Sequence, residues 1–247
     1  MTERDIEPAV TTPPQASIFE DFVDILTSPR EVFARRATSG YAMQMVIVAL
    51  LLGVLFLVNR ATMQDMMDAE IARGMAQAMK DNPGMTQEQL EAGKKFAGYA
   101  ATAGAFVGLP LAIWMIGLGI WLVAKMLGAS LTYGASALIA TYAYVPRVLE
   151  SIVVGAQGVL LDTSGIQGRY QLTLGVARFL DPEMSPGLLG LIGRVDVFTL
   201  WVTVLIAIGM TVIAKLPREK VIAAGALIWI YGALPALFQL AKSAISG

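Results

Sequence analysis

Pro146, Arg147 and Glu150 sit inside residues 135–161, a stretch otherwise apolar enough to cross a membrane. A charged residue at mid-span costs roughly 2.5–3.5 kcal/mol on insertion scales. Arg147 and Glu150 must therefore face protein or water, and the remaining apolar segments must pack around them. Three residues apart on a helix, they share a face about 4.5 Å apart along the axis. Pro146 deprives a carbonyl in the preceding turn of its donor. The five donors of Arg147 are expected to serve that carbonyl and Glu150 together. Tyr142 and Tyr144 complete an expected intramembrane polar cluster.

The rest of the composition agrees. The 247-residue chain is 56% hydrophobic and 15% charged, against about 25% charged for a soluble domain. Its net charge of −1 leaves no basic footprint for nucleic acid. It has no cysteine and no histidine. That removes disulfides, thiolate chemistry, Ser-His triads, the H-E-x-x-H zinc motif and haem-type ligation. No cofactor and no metal site are expected. An aspartyl protease would need two apposed mid-membrane aspartates, and only Asp196 falls within a span. The chain reads as a non-enzyme.

The fold expected is all-α: a polytopic membrane protein with a five-transmembrane-helix bundle. The chain divides into a disordered acidic tail (1–16), amphipathic or interfacial helices (17–40), a membrane domain (41–241) and a short tail (242–247). Spans are expected at about 41–58, 97–124, 135–161, 195–214 and 221–241; the first is about 27 Å long, close to the hydrocarbon thickness.

Before the first span, Ile18, Phe19, Phe22, Val23 and Leu26 mark an apolar face, with Glu20, Asp21 and Asp24 assigned to the opposite one. Ser28, Pro29 and Glu31 then read as N-cap, N1 and N3 of a second helix with a capping box. Between spans one and two, Met63, Met67, Ile71, Met75 and Met79 recur every four residues. Thr86 and Gln89 offer another capping box, so this loop reads as a helical hairpin. Its methionines suit adaptable packing rather than Cu(I) binding. In span two, Pro110 is a kink site, and Ala100, Gly104 and Gly108 form a small-residue stripe expected to pack inside the bundle, with a dimer contact as the alternative. Residues 162–194 are expected to hold short helices along the membrane surface.

Five spans place the termini on opposite sides. The 215–220 link holds Lys215, Arg218 and Lys220, and Arg30, Arg35 and Arg36 precede span one. Residues 162–194 hold only Arg169, Arg178 and Arg194. The positive-inside rule then favours a cytoplasmic N-terminus, with Arg60, Lys94 and Lys95 of the Met-rich loop counting the other way.

Read together and in order, several pieces resemble the Yip1-domain membrane proteins in their bacterial branch. They are Ser28-Pro29-Arg30-Glu31-Val32-Phe33, Leu127-Gly128, Tyr142-Ala143-Tyr144-Val145-Pro146, Asp196-Val197-Phe198-Thr199-Leu200-Trp201 and the basic link before span five. The resemblance covers roughly residues 19–240 and singles out Ser28, Pro29, Asp196 and Trp201 as motif residues. It implies five transmembrane helices, a cytoplasmic N-terminus and a bacterial inner (plasma) membrane location. Eukaryotic members are linked to Rab-type GTPases and early secretory traffic, a role not carried over to this chain, which resembles the bacterial branch. The family pattern usually continues apolar after Pro146, so Arg147 and Glu150 are local to this chain.

Two functions fit. One is a non-enzymatic membrane protein acting through lipid, other membrane proteins or self-association. The other is a small channel or transporter, or a transporter subunit, built on Arg147 and Glu150, with Gln157, Tyr142 and Tyr144 as lining.

Overall fold

A computed structural model describes residues 16–161, 166 and 168–246. The expected tail, Ala16 excepted, lies outside the described residues, as do residues 162–165 and 167 of the long connection.

The described residues are helical apart from links, turns and one isolated bridge, Gly175 with Asp196. The helices are α1 (Ile18–Thr27), α2 (Pro29–Arg36), α3 (Ala42–Asn59), α4 (Gln64–Asp81), α5 (Gln87–Ala103), α6 (Leu109–Met126), α7 (Tyr133–Ala143), α8 (Pro146–Leu160), α9 (Pro186–Ile192), α10 (Val197–Val212) and α11 (Arg218–Ser246). Four stretches are long and apolar enough to cross a membrane: Ala42–Asn59, Gln87–Met126, Tyr133–Leu160 and Arg218–Ala244. A fifth apolar helix, α10, is shorter, about 24 Å at 1.5 Å per residue. The chain is thus an all-α, multi-pass membrane protein. Large side chains such as Val107, Leu160, Ile222 and Phe238 point outward; in water these would be an exposed apolar surface, and in a bilayer they meet lipid. The last helix runs through Ser246, so no separate tail begins at Lys242.

The bundle is built around α7. Every residue from 136 to 143 is buried, with α6, α10, α3 and α1 against it. Small side chains permit this. Gly117 of α6 lies so close to α7 that a Cβ there would meet the Ala137 Cα at 3.0 Å. Helix α10 is the other central element, packed on α2, α7, α8 and α11.

The N-terminal helices depart from the expected pattern. Phe19 and Val23 are two-thirds exposed, whereas Asp21 is wholly buried. Asp21 follows Ile18 by three residues and precedes Ile25 by four, so it lies on the core-facing stripe. Ile25, Val32 and Phe33 are fully buried, which makes α1–α2 a hairpin packed into the bundle. Ser28 is the N-cap of α2 and Pro29 its first residue, but Ser28 makes no side-chain cap bond. Its backbone N–H instead closes α1 onto the Asp24 carbonyl at 2.6 Å. Ser28-Pro29 is therefore a tight turn that folds α2 back on α1. The reciprocal box of this region belongs to Ser17 and Glu20.

Thr86 and Gln89 do form their box at the start of α5, and Met75 packs on Gly93 across the α4–α5 hairpin. The join between α5 and α6 is a π-helical turn, Gly104–Gly108, in which the Leu109 N–H reaches back to the Gly104 carbonyl. Pro110 follows. It offers no N–H, and its ring would crowd a normal turn; one widened turn absorbs both problems. The small-residue stripe does not pack inside the bundle. Ala100 and Gly104 are exposed, and a Cβ added at Gly104 or Gly108 would meet nothing within 4 Å. The widened turn rotates this stripe outward, and Gly53 of α3 seats Phe106 instead.

On the face that carries α1–α2, the two short links meet. Gly128 takes a left-handed φ of 74°, open to glycine at little cost, and Lys220 Nζ donates to the Leu127 carbonyl at 2.8 Å.

Candidate functional site

The sequence suggests one intramembrane polar cluster. The structure has two polar clusters, one of them under the N-terminal hairpin, on either side of the break at Tyr144–Val145 between α7 and α8.

The first is centred on Asp21. Arg35 Nε donates to its Oδ1 at 2.6 Å, Arg36 Nε to its Oδ2 at 2.5 Å, and the Tyr142 hydroxyl to Oδ2 at 2.9 Å. The Ser28-Pro29 turn returns the two arginines onto α1. Arg35 also bonds Asp24 at 2.5 Å, and Arg36 bonds the Ala16 carbonyl. Two carboxylates thus face two guanidinium groups. Burial works against the Arg35 charge, but hydrogen bonds and attraction from Asp24 and Asp21 outweigh it and hold its pKa above the ordinary arginine value. The rings of Phe22 and Phe33 stand edge-on to Tyr142 at 5.9 and 6.4 Å. Gln44 of α3, buried in the first span, approaches the same hydroxyl.

The second cluster joins α8, α10 and α11. Arg147 donates to Glu150 at 2.5 Å and to the Thr199 hydroxyl at 2.8 Å. The Thr199 hydroxyl in turn donates a hydrogen bond to Asp196. Asp196 is 4% exposed and caps α10, accepting from the Phe198 and Thr199 N–H groups at 2.9 and 3.1 Å. Trp201, one turn on, lies half-buried against the core, its neighbour Phe198 stacked on it. Arg194 reaches across to α11. Its guanidinium lies 5.1 Å from the Trp229 ring centroid and fills the space left by Gly232, where a Cβ would sit 2.6 Å from a guanidinium nitrogen. Its Nε is buried with no hydrogen-bond partner among the described residues. Burial and the charge of Arg147 lower its pKa. Tyr144 lies within electrostatic reach of Arg147, Glu150 and Arg194.

The expected grouping is therefore split. Arg147, Glu150 and Tyr144 come together; Tyr142 belongs to the Asp21 cluster. The carbonyl freed by Pro146 is not served by Arg147. It is the Tyr142 carbonyl, and the Val145 N–H takes it at 3.2 Å by tightening the turn. Gln157 is engaged elsewhere, donating to the Leu172 carbonyl at 2.9 Å and accepting from Arg178 at 2.6 Å. These bonds tie α8 to the connection over its end, which is built of two 3-10 turns (Arg169–Leu172 and Val176–Phe179) and α9. Sequence reasoning missed Asp21, Arg194 and Gly232. Only Asp21 carried a signal, its place in the Ile18–Ile25 stripe.

Two surface cavities lie away from both clusters. One, of about 630 Å³, runs between α10 and α11 and includes Arg30 and Arg218 in its lining. The other, of about 360 Å³, is lined by Arg60, Lys94, Lys95, Gly98, Tyr99 and Thr102. Neither is lined by a carboxylate, and their charged lining residues are all basic.

Searches of curated proteins and of solved structures return no match. The family model described as the Yip1 domain matches residues 23–238, from within α1 to the last turns of α11. That match takes in the Ser28-Pro29 turn, Arg35, Arg36 and Tyr142 but not Asp21 of the first cluster, the whole of the second cluster and the five apolar helices, and by it the chain belongs to the Yip1 domain family.

Proposed function

We propose that the chain is a non-catalytic plasma-membrane protein that works through its outer surface, by contacts with lipid, with other membrane proteins or with further copies of itself. The observation that carries this reading is that Asp21 and the Arg147–Glu150 pair find their partners within the protein. Asp21 accepts from three donors, and Arg147 is divided between Glu150 and Thr199. Groups engaged in this way hold helices together; catalysis and transport need some of them turned toward a substrate. Affinity purification after gentle solubilisation tests the reading. Stoichiometric co-purification of a membrane protein, a second copy or bound lipid is the expected result. A monomer stripped of all three would contradict it.

A bacterial inner-membrane location with a cytoplasmic N-terminus goes with this proposal. Arg30, Arg35, Arg36, Lys215, Arg218 and Lys220 all lie on the side of the N-terminal hairpin and the short links. The chain has no native cysteine, so single cysteines report sidedness directly. A membrane-impermeant maleimide should label Gly84→Cys in intact cells and Ser39→Cys only after permeabilisation.

The second reading, a small channel or transporter over Arg147 and Glu150, has one observation in its favour: the unpartnered Nε of Arg194 beside that pair. It requires ion or solute flux in liposomes that falls on Arg194→Gln. Flux indistinguishable from empty liposomes would remove it.

A further inference from the structure

Of the cations on the face that carries α1–α2, Arg30, Lys215 and Arg218 make no hydrogen bond or ion pair among the described residues, and of these three the two arginines line a cavity. Arg35 and Arg36 are bound to Asp21, and Lys220 to the Leu127 carbonyl. Arg30 and Arg218 are exposed. Their neighbours Glu31 and Glu219 adjoin them in sequence, and adjacent helix residues do not face each other. Both arginines line the cavity of about 630 Å³ between α10 and α11, within the size range of small-ligand pockets.

The rest of that cavity is nearly all apolar, with Val204, Ile208, Val221 and Ile222 among its lining residues. The hydroxyls of Thr203 and Thr211 are turned back onto the carbonyls of their own helix, at 2.8 Å each, so they present methyl groups. Gly225 keeps the floor open: a Cβ there would touch only the Thr203 methyl, at 3.7 Å. From Thr203 to Thr211 the groove extends about 12 Å along α10. Val204 and Ile222 point outward, so it opens toward lipid. An apolar trough with two unpaired cations fits one class of molecule, an amphiphile with an anionic head and a hydrocarbon tail.

We infer that the α10–α11 groove binds an anionic phospholipid, its phosphate held by Arg30 and Arg218 and one acyl chain laid over Gly225. Guanidinium groups grip phosphate through paired N–H donors. One arginine belongs to the N-terminal hairpin and the other to the last span, so the lipid staples α2 to α11. The inference rests on the proposal that the chain works through its outer surface, and names one occupant of that surface.

The test is native mass spectrometry of the full chain released from phosphatidylcholine nanodiscs doped with phosphatidylglycerol. The wild type should retain phosphatidylglycerol over phosphatidylcholine. Arg30→Gln with Arg218→Gln should weaken that retention by about thirtyfold, the effect expected of two basic residues near an anionic surface. Arg30→Lys with Arg218→Lys should keep most of it. Gly225→Leu, which fills the trough and leaves both cations, should also lose the lipid. Equal retention of both lipids, or undiminished retention by the double Gln variant, would overturn the site. So would a polypeptide found in the groove. The wider surface-contact reading would survive such a failure wherever partners still co-purify, and falls only when neither partner nor lipid is recovered.

Discussion

Asp21 and Glu150 are both carboxylates facing arginine, on either side of the break in the central span, yet their settings differ. Asp21 is wholly buried and takes donors from two other elements, one of them 121 residues away in sequence. Glu150 pairs with a residue one turn away on its own helix, and the Arg147 and Glu150 side chains keep 24% and 20% of their exposure. The charge that stands out in the sequence, inside an apolar span, is therefore the less buried of the two. The inconspicuous one, in a helix that crosses nothing, lies deeper. A span can tolerate a charge by pairing it locally, whereas a hairpin docked from outside needs a charge lock that reaches its host. Without the Asp21 cluster, α1–α2 would have only Ile25, Val32, Phe33 and their neighbours to hold it on the bundle.

The largest expected effect follows from that contrast. Asp21→Asn leaves Arg36 facing a neutral group at a buried site and Arg35 with Asp24 alone, and should destabilise by about 3–5 kcal/mol. The loss should be read in detergent unfolding, with the hairpin becoming the first site of protease attack. A loss under about 1 kcal/mol would erase the distinction between the clusters. Glu150→Gln should cost less, about 1–3 kcal/mol, because Arg147 keeps the Thr199 hydroxyl. Gly232→Ala forces the Arg194 guanidinium out of its notch and should cost about 1–3 kcal/mol without loosening α1–α2, which checks that the clusters are energetically separate. The smallest effect should come from Tyr142→Phe, about 1 kcal/mol, since Asp21 keeps both arginines. If this change matched Asp21→Asn, the hydroxyl rather than the ion pairs would be the lock.

Local features were legible in the chain. Apolar runs of span length mark the four long crossing helices and α10, Thr86 and Gln89 announce their box, and the central position of residues 135–161 follows from its charges. What depended on packing was not. Phe19 and Asp21 are two residues apart, and assigning each to a face took knowledge of which stripe meets α7. The outward turn of Ala100, Gly104 and Gly108 arises from a widened helical turn ahead of Pro110, which periodicity cannot count. Pro146 did break its helix, but the chain repaired the loss with a backbone donor from Val145, the nearest one available. Arg194 gave no signal, because its place is set by a missing side chain at Gly232 on another helix.

The account stands on the intramembrane charges being structural, and a double-mutant cycle on Arg147 and Glu150 in lipid nanodiscs tests it most directly. Exchanging the two charges is a poor choice, since a carboxylate at position 147 would point toward Thr199 and Asp196. Replacing both by methionine is cleaner, because a buried ion pair can give way to apolar residues at little cost. Arg147→Met and Glu150→Met should each destabilise, and the double variant should return to within about 1 kcal/mol of the wild type with its co-purifying partners and lipid unchanged. Single variants as stable as the parent, or a well-folded double variant that has lost its partners or lipid, would contradict the account.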